Sequence, residues 1–336
     1  MKPTVKDIAR AANVSPGTVS NALNNRKGVS EEIKQLVFKT AKELGYSREN
    51  SSDRSTIRFI IFKRHGYVVS DTPFFSSLIE GIEKECRMQG YELLISHVST
   101  GDTDFKETIG SINGDYNSGI LILATEMTPE DVALFGGNGV PVVLLDSCFI
   151  NSPYDCVLIG NTDAAYNATG YLIEKGHKQI GYLHSSAYIN NFYFRRQGYA
   201  EALRDRGLKE EESFRLCLEP TMEGAYRDMK AALEKETLAL PTAFFADNDI
   251  IAFGAMRALK EKGLRIPEDI SVVGFDDMPF CEITSPRLTT IRVFKQEMGS
   301  IAVKRLLQRM SGKEQVVQKI EIGTELVMRE SVKAIN

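Results

Sequence analysis

Residues 4–25 read Thr4-Val-Lys-Asp-Ile-Ala-Arg-Ala-Ala-Asn-Val-Ser-Pro-Gly-Thr-Val-Ser-Asn-Ala-Leu-Asn-Asn25. The stretch predicts two short helices joined by a tight turn. Thr4 is a helix cap with Asp7 as its capping-box partner. Ile8, Ala9 and Ala12 then recur on one face at helical spacing. Asn13-Val14 breaks the pattern. Ser15 is a second cap, and Pro16 suits the first helical position, where its missing N–H would be unpaired in any case. Val19 and Leu23 give the second helix an apolar face, which leaves Ser15, Gly17, Thr18, Ser20, Asn21 and Asn24 outward. A third helix is predicted from Ser30 to Gly45, with Glu31 and Glu32 at its positive end and Ile33, Val37, Ala41 and Leu44 inward. An ordinary three-helix bundle would satisfy the same pattern. A second helix this polar, however, suits a DNA groove better than a protein partner.

Charge separates this head from the rest. Residues 1–50 hold nine Lys/Arg and five Asp/Glu, a net +4, whereas the whole chain is −4 and the remainder therefore −8. A basic head on an acidic body fits nucleic-acid contact confined to the head. The longest apolar runs, such as Ile120–Ala124 and Val140–Leu145, have the length of strands and are too short to span a bilayer. The head occupies the place of a signal peptide. The five cysteines (Cys86, Cys148, Cys156, Cys217, Cys281) are dispersed, without metal-ligand spacing, and read as buried free thiols of a reducing cytoplasm. No cofactor or metal site is expected, and no membrane partner.

Residues 47–56 contain no apolar side chain and are read as a linker between the head (1–46) and a large domain (57–336). Beyond Ile57, strands and helices alternate. Strands are expected at Arg58–Phe62, Tyr91–His97, Ile120–Ala124 and Val140–Asp146, then at 179–183, 213–218, 242–246 and 270–275. Helices are expected near Phe75–Cys86, 163–175, 194–206, 223–235, 249–262 and 297–310. This rhythm gives two doubly wound parallel sheets, in a bilobed domain with a cleft.

In such sheets ligands bind beyond the C-terminal ends of the strands. That rule selects Asp146, the run Asp247-Asn248-Asp249, the pair Asp276-Asp277, Phe74 and Phe75, and Arg195 at the opening of a helix. Carboxylates, a guanidinium fork and aromatic faces together suit a polyhydroxylated ligand. Asp249 could equally cap the helix it heads. Phe75 lies on an apolar stripe with Leu78 and Ile82 and reads as core, and Asp276 and Asp277 are as consistent with structural roles. Arg196 reads as solvated and His177 as a loop residue.

The head motif Thr-Val-Lys-Asp-Ile-Ala…Val-Ser…Thr-Val-Ser-x-x-Leu-Asn closely resembles that of the lactose-repressor (LacI) family of bacterial transcriptional regulators. Later stretches continue the likeness over nearly the whole chain: Asp71-Thr-Pro-Phe-Phe75, Gly176-His-Lys-Gln-Ile-Gly-Tyr-Leu183, Arg195-x-x-Gly-Tyr199, Phe245-Ala-Asp-Asn-Asp249, Ile270-Ser-Val-Val-Gly-Phe-Asp-Asp277 and Leu288-Thr-Thr-Ile291. The resemblance implies a helix-turn-helix head and a periplasmic-binding-protein-like body. It places an N-lobe at 57–160 and 290–320 and a C-lobe at 161–289 and 321–336, with three crossovers. It also implies a homodimer on a palindromic operator, and a small-molecule effector held at Phe74, Asp146, Arg195 and Asp249. The family's specificity positions match Pro16, Gly17 and Asn21. Direct readout should fall on Asn21, which can pair with adenine, while Thr4, Ser15, Thr18, Ser20 and Asn24 hold phosphates.

One segment departs from the family. LacI-type proteins usually carry a longer hinge with Pro-Asn-x-x-Ala-Arg-x-Leu, whose Leu enters the minor groove. Residues 47–56 lack the Pro, the Ala-Arg pair and the Leu. Other classes fit less well. A bilobed solute-binding protein, the alternative, would carry an export signal and no DNA head. An enzyme would need a motif that is missing here, since Gly136-Gly-Asn-Gly139 precedes a strand and lies on the wrong side for phosphate. The sequence thus predicts a cytoplasmic, effector-controlled repressor, first of a carbohydrate-use operon with a sugar as effector, with a nucleobase or a phosphorylated sugar left open.

Overall fold

Three helices build the head: α1 (Val5–Ala11), α2 (Pro16–Leu23) and α3 (Glu31–Glu43). The computed structural model describes residues 3–23, 28–44, 46, 56–69, 73–115, 118–136, 139–235, 239–312 and 316–335. Asn24, Gly45, linker residues 47–55, Asp71-Thr72 and Gly137-Asn138 lie outside the described residues. The Asp7 carboxylate accepts from the Thr4 amide at 2.8 Å and from its hydroxyl at 2.7 Å, and the Ser15 hydroxyl accepts from the Thr18 amide at 2.9 Å. Asn13 makes the turn between α1 and α2 at φ +53. Ile8, Ala9, Ala12, Val19, Ala22, Leu23, Val37 and Ala41 form the head's core. Leu44, expected inward, is 40 % exposed. It lies past the end of α3 and so off the helix's apolar stripe.

The body alternates strands and helices. In order they are β1 (Thr56–Lys63), α4 (Pro73–Met88), β2 (Glu92–Ser99), α5 (Phe105–Asn113), β3 (Ser118–Leu123), α6 (Pro129–Val132), β4 (Val142–Leu145) and β5 (Asp155–Ile159). A second series follows with α7 (Asn161–Glu174), β6 (Ile180–Ser185), α8 (Asn190–Asp205), β7 (Arg215–Leu218), α9 (Met222–Leu233), β8 (Ala243–Ala246), α10 (Asp249–Glu261), β9 (Ser271–Asp276) and β10 (Thr289–Val293). Then come α11 (Lys295–Met310), β11 (Lys319–Ile322) and β12 (Thr324–Val327).

Two six-stranded sheets result, ordered β11-β5-β4-β3-β1-β2 and β12-β10-β9-β8-β6-β7. The inner strands β3, β4, β5, β8 and β9 are buried along their whole length, as parallel strands covered on both faces must be. The chain passes between lobes after β5, between β10 and α11, and at Gly323. Strand β10 thus belongs to the second sheet and β11 to the first, a few residues beyond the divisions at 290 and 320. β12 is the one departure from a parallel arrangement, pairing antiparallel to β10. Only Gly323 separates it from β11, so the chain crosses without turning and enters the second sheet in the reverse sense. Helix α5 and strand β5 also appear where no element was expected. Strand β5 is held at its start by Asp155, whose buried carboxylate accepts from Arg305 Nε at 2.9 Å and from the Gln318 amide at 2.6 Å.

Candidate functional site

A cavity of about 230 Å³ lies between the two lobes. Its lining comes from segments that follow the C-terminal ends of strands. Gly66, Tyr67 and Val68 follow β1, Thr125 follows β3, and Asp146 follows β4. Ile189, Asn191, Phe192 and Arg195 follow β6, Pro220, Thr221 and Met222 follow β7, Asn248 and Ile250 follow β8, and Asp276 and Met278 lie at the end of β9. Phe74 and Phe75, in the first turn of α4, complete the wall with rings 5.0 Å apart at 74°.

Arg195 is the centre of this site. Helix α8 begins at Asn190, earlier than the sequence suggested, so Arg195 projects from its second turn and is only 3 % exposed. Its Nε donates to Asn161 Oδ1 at 2.8 Å and its Nη1 to the Asp247 carbonyl at 2.6 Å, while Nη2 sits 3.4 Å from Asp276 Oδ1. The guanidinium lies 3.6 Å above the Phe275 ring centroid. Opposite, Asp146 Oδ2 accepts from the Thr125 hydroxyl at 2.6 Å, and Oδ1 accepts from Asn191 across the cleft at 3.0 Å. Asp146 and Asp276 hold positive φ values of +68 and +111. Non-glycine residues adopt these at a cost of order 1–3 kcal/mol, and they cluster where a site needs them.

Phe74, Asp146 and Arg195 therefore line one cavity, and Asp249 does not. Asn248, not Asp249, caps α10, its Oδ1 accepting from the Ile251 amide at 2.9 Å. Asp249 then starts the helix with its carboxylate turned into the lobe. There it accepts from the Thr290 hydroxyl at 2.5 Å, the Met278 amide at 2.8 Å and the Cys281 thiol at 3.1 Å. It is a positioning residue for the Met278 wall. Gly274 makes room for it, since a Cβ there would stand 2.2 Å from Asp249 Oδ1. Asp277 is likewise engaged away from the cavity, by Arg292 and Arg329, both at 2.7 Å. Asp247 bonds Tyr182 and the Ser185 amide. His177 lies in the loop between α7 and β6, as expected, and is buried there as a tie, bonding Thr242 Oγ1 at 2.9 Å and the Lys333 carbonyl at 3.1 Å. Arg196 is exposed, as expected, and pairs with Glu210 at 3.4 Å. Asn191, Thr125, Met222 and Met278 were missed by the sequence reading.

Burial pushes the Asp146 carboxyl up to about 6 and those of Asp247 and Asp249 to about 7, and it also raises Asp276. An acid whose folded pKa is raised binds more protons folded than unfolded. Its contribution is therefore present below its ordinary value near 4 and lost as pH rises through about 6–7. Stability should fall between about pH 4 and pH 7, and Asp249→Asn should flatten that slope in thermal melts. An unchanged slope would remove Asp249 from the titrating set.

On the head, Ser15, Pro16 and Gly17 are exposed, and Thr18, Ser20 and Asn21 are half-exposed on the same helix. Among the described residues, nothing but Ser15 Oγ, at 3.6 Å, lies near a Cβ built on Gly17, so the surface there is open to close approach. Helix α2 carries no charge in its first or last turn. The Thr4 hydroxyl already donates to Asp7, and the Ser15 and Thr18 hydroxyls share a bond of 2.8 Å, so these groups are pre-oriented by capping.

The description "Bacterial regulatory proteins, lacI family" matches residues 4–49, and "Periplasmic binding protein-like domain" matches residues 169–332. The chain is 34 % identical to the HTH-type transcriptional repressor PurR of Pasteurella multocida, over 98 % of this chain and 99 % of that one. It is also 34 % identical to the repressor of the same name from Mannheimia succiniciproducens, over 99 % of each. Among solved structures, the transcriptional regulator CelR–cellobiose complex superposes with a TM-score of 0.75 at 26 % identity, covering 98 % of this chain and all of that one. The lac repressor dimer bound to operator and the anti-inducer ONPF shares the fold, with a TM-score of 0.72 at 24 % identity over 99 % of this chain and all of that one.

Proposed function

This chain belongs to the lacI family of bacterial regulatory proteins, a DNA-binding transcriptional repressor and not an enzyme, and from that premise we propose that a small neutral ring compound in the interlobe cavity sets the operator affinity of the head. The observation that carries the ligand class is the balance of charge. Two carboxylates, Asp146 and Asp276, face the cavity, and the one guanidinium between them is already engaged. A phosphorylated ligand would meet net negative charge, whereas a ligand rich in hydrogen-bond donors would meet unused acceptor lone pairs. The cavity's 230 Å³ falls just below the usual range for ligand sites, ~300–1,000 Å³, which favours a ligand as small as a monosaccharide. A sugar therefore remains the first reading, and with it control of carbohydrate use. The flat apolar faces of Phe74 and Phe192 also suit a planar base, which makes a purine or pyrimidine the second.

Thermal unfolding of the full chain against sugars, nucleobases and sugar phosphates decides between them. A ligand at a hundredfold excess over its Kd adds ~2.7 kcal/mol and raises Tm. A shift from sugars alone supports the first reading and a shift from bases alone the second. The largest shift from phosphorylated compounds would overturn the charge argument.

The head is proposed to read bases through Asn21 and to hold phosphates with Thr4, Ser15, Thr18, Ser20 and Asn24, with Pro16 and Gly17 allowing close approach. One such helix reads few base pairs, so two heads on a palindromic operator are required for specificity. A homodimer supplies them, and edge strand β2 offers a seam for it, with Leu94 and Ile95 42 % and 39 % exposed. Asn21→Ala is expected to cost ~1–3 kcal/mol on the preferred duplex and to relax one base position per half-site. Equal loss on every duplex in a binding series would make Asn21 a phosphate contact instead. A DNA-binding repressor works in the cytoplasm, which is the compartment proposed here.

A further inference from the structure

A strained turn ends β9, and the cation that holds its backbone stands outside the cavity lining. Asp276 and Asp277 are consecutive at φ +111 and +47, a backbone that non-glycine residues keep only where their surroundings enforce it. The two side chains have their own partners. Asp276 Oδ1 lies 3.4 Å from Arg195, and the Asp277 carboxylate is held by Arg292 and Arg329. The two carbonyls converge on Lys295, whose ammonium donates to Asp276 and, at 3.4 Å, to Asp277.

Lys295 belongs to the other lobe, as the first residue of α11. There it stands at the positive end of the helix dipole, where a cation is unfavourable, so the helix itself gains nothing from it. Helix α11 gives it a firm base by packing closely on α4. A Cβ on Gly81 would stand 2.2 Å from the Gln296 carbonyl oxygen, and one on Gly299 would stand 2.6 Å from that of Leu78. Buried Glu85 of α4 accepts from the Ser300 hydroxyl at 2.8 Å and pairs with Lys304 at 3.5 Å. Lys295 and Phe74 are thus the leading ends of one two-helix block, the ammonium 5.4 Å from the centre of the Phe74 ring that lines the cavity.

We propose that Lys295 is a positioning residue of the cavity. From the N-lobe it holds the Asp276–Asp277 turn of the C-lobe in the conformation that aims the Asp276 carboxylate at Arg195, so the setting of one lobe fixes a cavity group of the other. Lys295 does this whatever ligand the cavity takes. Its charge acts in the same direction. Burial raises the Asp276 carboxyl, and the cations of Arg195 and Lys295 oppose that rise. Asp276 also interacts with the carboxyls of Asp146, Asp247 and Asp249, and its neighbour Asp277 is paired with Arg292 and Arg329.

Lys295→Met in the full chain keeps an unbranched stem and removes the ammonium. Hydrogen exchange reads the turn, because the Asp277 amide donates to Thr290 Oγ1 at 3.4 Å and the Met278 amide to Asp249 at 2.8 Å. Exchange at these two amides should rise about tenfold or more, as expected when a charged donor is lost, while residues 298–306 of α11 stay protected. The variant's stability deficit in urea should also grow with pH. Without the ammonium, Asp276 keeps its proton to higher pH, so the folded variant binds more protons than the folded parent and loses stability more steeply as pH rises. In an Asp276→Asn background the deficit should no longer vary with pH. Lys295→Arg, which keeps the cation and its donors, should restore both protection and slope. Unchanged exchange at residues 277–278 would overturn the hold on the turn. Faster exchange all along α11 would make Lys295 a support of its own helix and overturn the reading. A pH-dependent deficit that survives Asp276→Asn would overturn the link to that carboxylate.

Discussion

Arg195→Ala is expected to destabilise the protein by ~3–5 kcal/mol and to abolish its thermal response to the effector. Arg195 is buried, and its partners are buried with it: Asn161, the Asp247 carbonyl and Asp276. Removing the side chain leaves those acceptors unpaired and strips Phe275 of its stacked cation. The positive charge also holds down the pKa values of Asp146, Asp247 and Asp276 against the burial that raises them. Without it these carboxyls rise further, so the folded state retains protons to higher pH. The sign follows. The variant's deficit should be largest near pH 8 and smallest near about pH 5, where Asp146 and Asp247 are largely neutral in both proteins. Arg195→Lys separates charge from shape. It restores a cation without the planar fork, so much of the stability should return and the effector response should not. Urea unfolding at the two pH values checks this. A deficit below about 1 kcal/mol that does not vary with pH would mean that Arg195 is not the counter-charge of the site.

Where the sequence was legible, a strand end or a helix cap carried the signal. Asp146, Arg195 and Asp276 could be picked out because chains in parallel sheets deliver side chains to a cleft at strand C-termini. The head could be read because Thr4, Asp7, Ser15 and Pro16 are chemically specific to helix starts. Asp249 was misplaced by a single residue of capping register. Asn248 and Asp249 are both good caps, and choosing Asn248 turns the Asp249 carboxylate from the cavity into the lobe. The antiparallel direction of β12 depends on a one-residue crossing at Gly323, to which no periodicity in the sequence corresponds. Glu126 left no trace at all in the sequence. Its partners are backbone amides, which every residue except proline possesses.

Glu126→Ala should have the second largest effect, about 3 kcal/mol, and should act on the cavity without touching the ligand. The Glu126 carboxylate is buried under the loop that follows β1 and accepts amide hydrogens from five of its residues. Oε2 accepts from Arg64 at 2.9 Å, His65 at 3.1 Å and Gly66 at 2.9 Å, and Oε1 from Val68 at 3.0 Å and Val69 at 2.8 Å. Gly66 sits at φ +71, which lets the loop curl around the acceptor. The loop's Gly66, Tyr67 and Val68 form one wall of the cavity, so this anion shapes the site from behind. Orphaned amides cost ~1–3 kcal/mol each while buried, but a loop at the surface can open to water and recover most of them. The net loss is therefore well below five bonds, and the opened wall should shrink the ligand-induced Tm shift. Arg64 is held separately by Asp131 at 2.7 Å, so faster hydrogen exchange should be confined to residues 65–69. Glu126→Gln should fall between the two, because one oxygen can serve one set of amides while the new NH₂ opposes the other. Burial raises the Glu126 pKa, but the amide bonds outweigh it and the net shift is downward. Its contribution is thus constant above the ordinary value of 4.5 and disappears as pH falls below it, opposite in sign to the Asp146 and Asp249 contributions. If the Val68 and Val69 amides exchanged as slowly in Glu126→Ala as in the unsubstituted protein, the loop would owe its shape to its own packing and not to the carboxylate beneath it.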